Sequence, residues 1–269
     1  MIELKKRDGI VFLQSDLLMS KHAFSTRIGG VSTLAHTSSL NLAFGRGDDD
    51  ETVLENIRLF LGAVGIDGES IISVPQIHSA DVKDVDSSEK GYGVHKTSPF
   101  SCDGYVTREQ GISLGVKTAD CVPILMEARD EQDGVIAVSA IHAGWRGTVS
   151  KIAKVGVEKL ISLGAKRDKI FVAIGPCIHR CCYEVGEDLC REVKEKLGQN
   201  YYNESIITSN NGKLYADLTG MNLRLLLSCG ISEENIDASG YCTCCNPDLF
   251  YSHRASNGVR GTMMSVIQM

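Results

Sequence analysis

Apolar positions recur at helical spacing in four stretches of the chain, and short apolar runs lie between them. In residues 51–64, Val53, Leu54, Ile57, Phe60, Leu61 and Val64 fall on one face of a helix. Asp48, Asp49 and Asp50 sit at its positive end, and Thr52 with Glu55 has capping-box spacing. A second helix is predicted over 150–163, with Ile152, Val155, Leu160 and Leu163 inward and Gly164 as its stop. A third covers 187–197 and stops at Gly198. A fourth covers 218–229, with Asp217 as N-cap and Gly230 beyond its end. Strand patterns fall at 71–74, 82–85, 104–107, 112–116, 122–126, 135–141, 170–174 and 263–267. Continuous runs such as Val135-Ile136-Ala137-Val138 suit strands covered on both faces.

Helical and strand patterns alternate, glycines punctuate the whole length, and no repeat, low-complexity tract or linker interrupts them. The expectation is one α/β domain over residues 1–269, a layered mixed sheet flanked by helices. With 269 residues and 43% hydrophobic content, the chain can bury a large core.

Charge narrows the possible partners. The net charge is 28 − 34 = −6, and basic residues are scattered, which predicts no nucleic-acid or anionic-membrane binding. Lys5-Lys6-Arg7 is the densest basic cluster and reads as a solvated face. The start, MIELKKRDGI, has no apolar secretory core, and no apolar run approaches the roughly 18 residues of a membrane span. A cytoplasmic location is expected, as a monomer or small homo-oligomer. Its 10 cysteines then read as thiols or metal ligands rather than disulfides.

Three segments place a reactive side chain where a strand pattern stops: Val-Pro-Gln-Ile-His78, Lys-Thr-Ala-Asp-Cys121 and Ala-Ile-His142-Ala-Gly-Trp-Arg-Gly. Two imidazoles and a thiolate suit zinc, and three protein ligands leave a fourth position open, as catalytic sites do. The spacing alone also allows three unrelated residues, or a Cys121 nucleophile with His142 or His78 as base. The glycines after His142 permit close backbone approach, and the helix that follows can face an anion. Further metal readings at Cys242-Thr-Cys244-Cys245 and at Cys177-Ile-His-Arg-Cys181-Cys182 lack paired CxxC spacing, so reduced thiols are the default there. Nucleophile-elbow, phosphate-loop and complete dinucleotide-binding motifs are absent, as is the deaminase H-x-E with P-C-x-x-C.

The motifs form an ordered set. Phe24-Ser-Thr-Arg27-Ile-Gly-Gly, Ser39-Leu-Asn41-Leu, Gln76-Ile-His78, Asp103-Gly-Tyr, Thr118-Ala-Asp-Cys121-Val-Pro, His142-Ala-Gly-Trp-Arg-Gly, Cys182-Tyr-Glu-Val-Gly and Phe250-Tyr-Ser-His-Arg254 follow one another. From Phe24 onward the chain resembles the YfiH-like family of purine nucleoside phosphorylases, long labelled laccase-like polyphenol oxidases. The resemblance implies a layered α/β fold similar to the cysteine-hydrolase-like catalytic domain of cytotoxic necrotizing factors. It implies Zn2+ held by His78, Cys121 and His142. It also implies phosphorolysis of adenosine, inosine and methylthioadenosine, with adenosine deamination at the same site. The tail departs from the family pattern at Arg254-Ala-Ser-Asn-Gly258-Val-Arg260, and residues 242–245 are richer in cysteine than the pattern requires.

Such chemistry assigns roles to neighbouring residues. Asp120 is expected to move a proton or orient a ligand histidine, against the plainer task of capping a turn. Arg146 is the first candidate for phosphate, followed by Arg27 and Arg254. Asn41 and Gln76 can read purine or ribose edges or simply fix loops, and Trp145 can stack on a base or sit in the core. The competing functions are a copper-dependent polyphenol oxidase and a hydrolase using Cys121 as nucleophile.

Overall fold

In the computed structural model, which describes residues 1–269, the chain forms fifteen strands and five α-helices. It begins with β1 (Ile2–Arg7), β2 (Ile10–Ser15) and β3 (Lys21–Ser25), followed by α1 (Asp50–Val64) and β4 (Ile71–Ile72). Next come β5 (Val82–Asp84), β6 (Gly104–Thr107), β7 (Ser113–Thr118), β8 (Val122–Arg129) and β9 (Val135–Ala143). Helices α2 (Trp145–Val149) and α3 (Ile152–Ser162) precede β10 (Ile170–Ile174), β11 (Glu184–Val185) and α4 (Glu187–Glu192). The chain closes with β12 (Ile207–Asn210), β13 (Lys213–Ala216), α5 (Leu218–Ser228), β14 (Ile236–Ala238) and β15 (Met263–Gln268).

Two six-stranded mixed sheets lie face to face, in the orders β1-β2-β3-β15-β7-β4 and β14-β10-β8-β9-β6-β5, and a small third sheet has the order β11-β13-β12. Strand pleating explains the layering. Along β8, Val122, Ile124, Met126 and Ala128 join Ile152, Val157 and Leu160 of α3 in one core, while Leu125 turns to the opposite side. There it meets Leu13, Phe24, Leu114 and Val116 of the first sheet. The far face of that sheet packs Phe12, Ala23 and Val266 against Val53, Ile57, Phe60 and Leu61 of α1. The result is four layers, helix–sheet–sheet–helix, matching the α/β expectation. No helix is long and apolar enough to cross a membrane.

The helix ends differ from expectation in three places. At α1 the cap is Asp49, whose side chain accepts from the Thr52 N–H, and Glu55 binds Arg58 instead of closing a capping box. The helix starts one residue earlier than the pattern suggests, so Asp49 stands where Thr52 was expected to act. The predicted helix over 150–163 is α3, which starts only at Ile152; the short α2 lies before that range, and Lys151 with φ +64° separates the two. The helix over 187–197 is α4 followed by a π-helical turn, Val193–Leu197. Helix α5 keeps its Asp217 cap, which accepts from the Gly220 N–H. The basic cluster Lys5-Lys6-Arg7 lies on the edge strand β1.

Seven further strands, β1, β2, β3, β11, β12, β13 and β14, were not expected. Two of the missed hairpins turn on Asp8-Gly9 (φ +51° and +86°) and Asn211-Gly212 (φ +50° and +74°). Both residues of each pair have positive φ, the primed turn that matches strand twist.

Candidate metal centre

His78, Cys121 and His142 come from three separate segments and converge. His78 lies in the loop between β4 and β5, Cys121 in the crossing from β7 in one sheet to β8 in the other, and His142 near the end of β9. One ligand atom from each lies within 4.8 Å of the other two, and the imidazole centroids are 4.9 Å apart at 73°.

Asp103, just before β6, organises this cluster. Its buried carboxylate accepts from His142 Nδ1 at 2.8 Å and from the His78 backbone N–H at 3.0 Å on one oxygen. The other oxygen accepts from the Ser79 N–H at 2.6 Å and the Ser79 hydroxyl at 2.7 Å. Burial works against its charge, but the bonds from His142 and Ser79 bring the carboxyl down to about 2. An ionised acceptor at Nδ1 leaves Nε2 of His142 for a metal. Burial alone would lower the His142 imidazole, while the Cys121 sulfur and Asp103 raise it to about 9. Burial and then the His142 charge hold His78 below its ordinary value, which favours the neutral ligand form.

Backbone geometry makes room for the ligands. A Cβ at Gly144 would stand 2.7 Å from His78 Nδ1 and 3.3 Å from Cys121 Sγ. Gly147 similarly comes against the Ser79 carbonyl, where a Cβ would be 2.7 Å away. His78 (φ +58°) and Asp120 (φ +100°) hold left-handed conformations that non-glycine residues rarely adopt. Asp120 is kept there by the Thr243 hydroxyl on Oδ1 at 2.7 Å, the Arg254 N–H on Oδ2 at 2.7 Å and the Ile178 N–H on its carbonyl at 2.8 Å. Both carboxylate oxygens of Asp120 are therefore engaged in fixing the loop that carries Cys121. The histidine-orienting role expected of Asp120 is performed by Asp103. The pairing of Asp103 with His142 across 39 residues gave no sequence signal beyond the Asp-Gly-Tyr motif.

The three side chains open into a cavity of about 780 Å³. Lys117, Arg46 and Arg260 line it. Burial pushes the Lys117 ammonium down to about 8, and its Nζ donates to the Ser73 carbonyl at 3.2 Å. Burial and the nearby Arg46 charge lower Arg260 to about 10. Arg260 reaches the Gly261 carbonyl and the Thr262 hydroxyl through one Nη, while its buried Nε has no partner. Arg46 lies in the bend before α1.

Of the other nominated residues, only Gln76 lines this cavity. The Arg27 guanidinium binds the Ser38 and Pro247 carbonyls and lies over the Tyr251 ring. Arg254 binds the Cys182 and Glu184 carbonyls. Asn41 ties Ala43, Asp48 and Thr262 together, and Gln76 lines the cavity while bonding both backbone groups of Lys117. Arg146 is exposed on the short α2, 4.4 Å from the Trp145 ring, and its charge is felt at His78 and at Tyr183.

The donor set and its spacing fit a metal ion. Two imidazoles and a thiol, with one ring oriented by a buried carboxylate, form an open three-ligand arrangement.

Residues 21–269 match the family model described as multi-copper polyphenol oxidoreductase laccase. The chain is similar to "Adenosine deaminase RL5" from an unknown prokaryotic organism, with 38% identity over 259 residues and 94% of both chains covered. It is similar to a "Purine nucleoside phosphorylase" of Deinococcus radiodurans, with 35% identity over 262 residues, 96% of this chain and 93% of that one. The solved structure of YlmD from Geobacillus stearothermophilus superposes with a TM-score of 0.86 at 29% identity, covering 99% of this chain and 98% of that one.

Proposed function

The chain belongs to the family described as multi-copper polyphenol oxidoreductase laccase, and on that premise we propose that it is a zinc-dependent purine nucleoside phosphorylase that also deaminates adenosine. The names of its relatives support nucleoside chemistry. The observation that carries the reading is the meeting of His78, Cys121 and His142 at a cavity lined by Lys117, Arg46 and Arg260. Adenosine, inosine and methylthioadenosine are the proposed nucleosides. The same cores joined through shared sheets support one catalytic unit over residues 1–269, and the cysteine-hydrolase-like likeness rests on the family resemblance.

A bound Zn2+ would supply Lewis acidity and lower the pKa of a water toward about 7. Asp103 fixes the His142 ring and so sets which nitrogen faces that ion. Asp120 holds the Cys121 loop rather than meeting substrate. Phosphorolysis needs an anion held beside the ribose while the purine leaves. Arg260, with an Nε that no protein group satisfies, Arg46 and Lys117 supply that positive wall. Lys117, with its ammonium near 8, can also give a proton to the departing base at neutral pH. Arg146 is exposed and its charge reaches His78, and we keep it as a substrate contact.

Only two of the seven histidines take part in the ligand group, and the other metal-capable cluster is all cysteine. That donor inventory favours a single catalytic ion over several coppers. The test is product analysis. Metal-loaded protein given adenosine should release adenine with phosphate and inosine without it; neither product in zinc-replete protein would overturn the reading.

A further inference from the structure

The two cysteine-rich runs, each weak alone, meet in space. Cys181 and Cys182 lie between β10 and β11, and Cys242 and Cys245 follow β14. All four sulfurs are within 4.8 Å of one another. Cys245 Sγ is 3.5 Å from Cys181 Sγ and 3.3 Å from Cys182 Sγ. A tetrahedral ion with metal–sulfur bonds of about 2.3 Å requires sulfur–sulfur edges of about 3.8 Å. The cluster therefore needs only small adjustments to surround one ion.

Packing does not explain this gathering, because Cys181 and Cys245 are exposed. The backbone around the cluster is ordered by specific bonds. Cys177 and Cys242 pair as a parallel bridge, and the Thr243 N–H donates to the Cys177 carbonyl at 2.9 Å. The His179 N–H points at Cys242 Sγ at 3.4 Å, a donor of the kind that stabilises metal-bound thiolates. Asn246 Nδ2 donates to the Cys242 carbonyl at 2.8 Å.

We propose that Cys181, Cys182, Cys242 and Cys245 bind a second zinc ion in a closed, structural all-thiolate site. Four sulfur ligands leave no position for substrate, unlike the open His78–Cys121–His142 group. Its task is mechanical. The ion clips together two segments more than sixty residues apart (Cys181 to Cys245, separation 64). Those segments carry Ile178 and Thr243, both of which bond Asp120 beside Cys121. Cys182 also offers its carbonyl to Arg254, whose backbone N–H binds Asp120. The second ion thereby braces the loop that presents the catalytic thiolate.

The test is metal content by elemental analysis of full-length protein purified with zinc. The parent should hold two zinc ions per chain and Cys181→Ser/Cys245→Ser should hold one. Equal zinc in parent and variant would overturn the proposal. So would a parent isolated with these four cysteines joined as disulfides, read from intact mass. Should that variant fail to fold, the His78→Ala/Cys121→Ser protein supplies an independent reading. With Co2+ it should show intense near-ultraviolet thiolate charge transfer and tetrahedral bands in the red. Their absence from folded protein would equally overturn the site.

Discussion

Asp103 accepts the Nδ1 proton of His142 at 2.8 Å, and this one contact decides which face of the ring is left for a metal. The same carboxylate gathers the backbone of Ile77, His78 and Ser79. Replacing it as Asp103→Asn keeps the shape but places an amide against three N–H donors. Metal affinity should fall about 10- to 100-fold, as for other orienting partners of ligand histidines. Competition with a chelating dye measures this, and unchanged affinity would show that Asp103 is not the orienting group.

Gly144 stands closer to His78 than a side chain permits, and tight against Cys121. Gly144→Ala would put a methyl 2.7 Å from His78 Nδ1, so His78 must move off the cluster. The expected outcome is folded protein with lost catalytic-site metal and little activity. Crystallography or metal analysis against a Gly62→Ala control, where nothing lies within 4 Å, tests it.

Arg260 should matter to one reaction and not the other. Charge-assisted bonds to an anion contribute about 1.5–3 kcal/mol, so Arg260→Met should raise the phosphate KM roughly 10- to 100-fold. Adenosine deamination consumes no phosphate and should change far less. Equal damage to both reactions would mean that Arg260 acts by holding the fold through Gly261 and Thr262.

Lys117 carries a pH signature. Its folded value is lowered to about 8 from 10.5 by burial, so the folded state gives up its proton first. The charged ammonium therefore costs stability below about pH 8, and that cost is relieved as pH rises from about 8 to about 10.5. Lys117→Met should melt higher than the parent at pH 7, by on the order of 2 kcal/mol of stability. The gap should close by about pH 10, while phosphorolysis falls at every pH. Thermal melts of both proteins across that range check the sign.

The sequence revealed what local patterns encode. The cluster of His78, Cys121 and His142 was visible because each closes a strand pattern, and the ordered motifs joined them. What stayed hidden depends on distant pairing. Asp103 and His142 meet only because β6 lies beside β9. The four cysteines meet because β14 pairs with β10, which brings their following loops together. Arg46 belongs to no motif, and Arg260 lies in a tail that departs from the family motif. The missed β1–β2 and β12–β13 hairpins were legible in Asp8-Gly9 and Asn211-Gly212; β1, β12 and β13 are too polar to show a strand pattern, whereas β2 carries the apolar run Ile10-Val11-Phe12-Leu13.

Strand β15 is synthesised after the fourteen other strands described here, yet it occupies the middle of its sheet, between β3 and β7. Until the ribosome has released residues 263–268, two neighbouring strands face an open slot with unpaired backbone groups. The nascent chain must keep that slot from capturing a stray strand. Arg260 sits three residues before β15 and arrives with it. Completion of the sheet and delivery of a cation to the catalytic cavity are thus one event in the protein's assembly, and a chain truncated before this segment would lose both together.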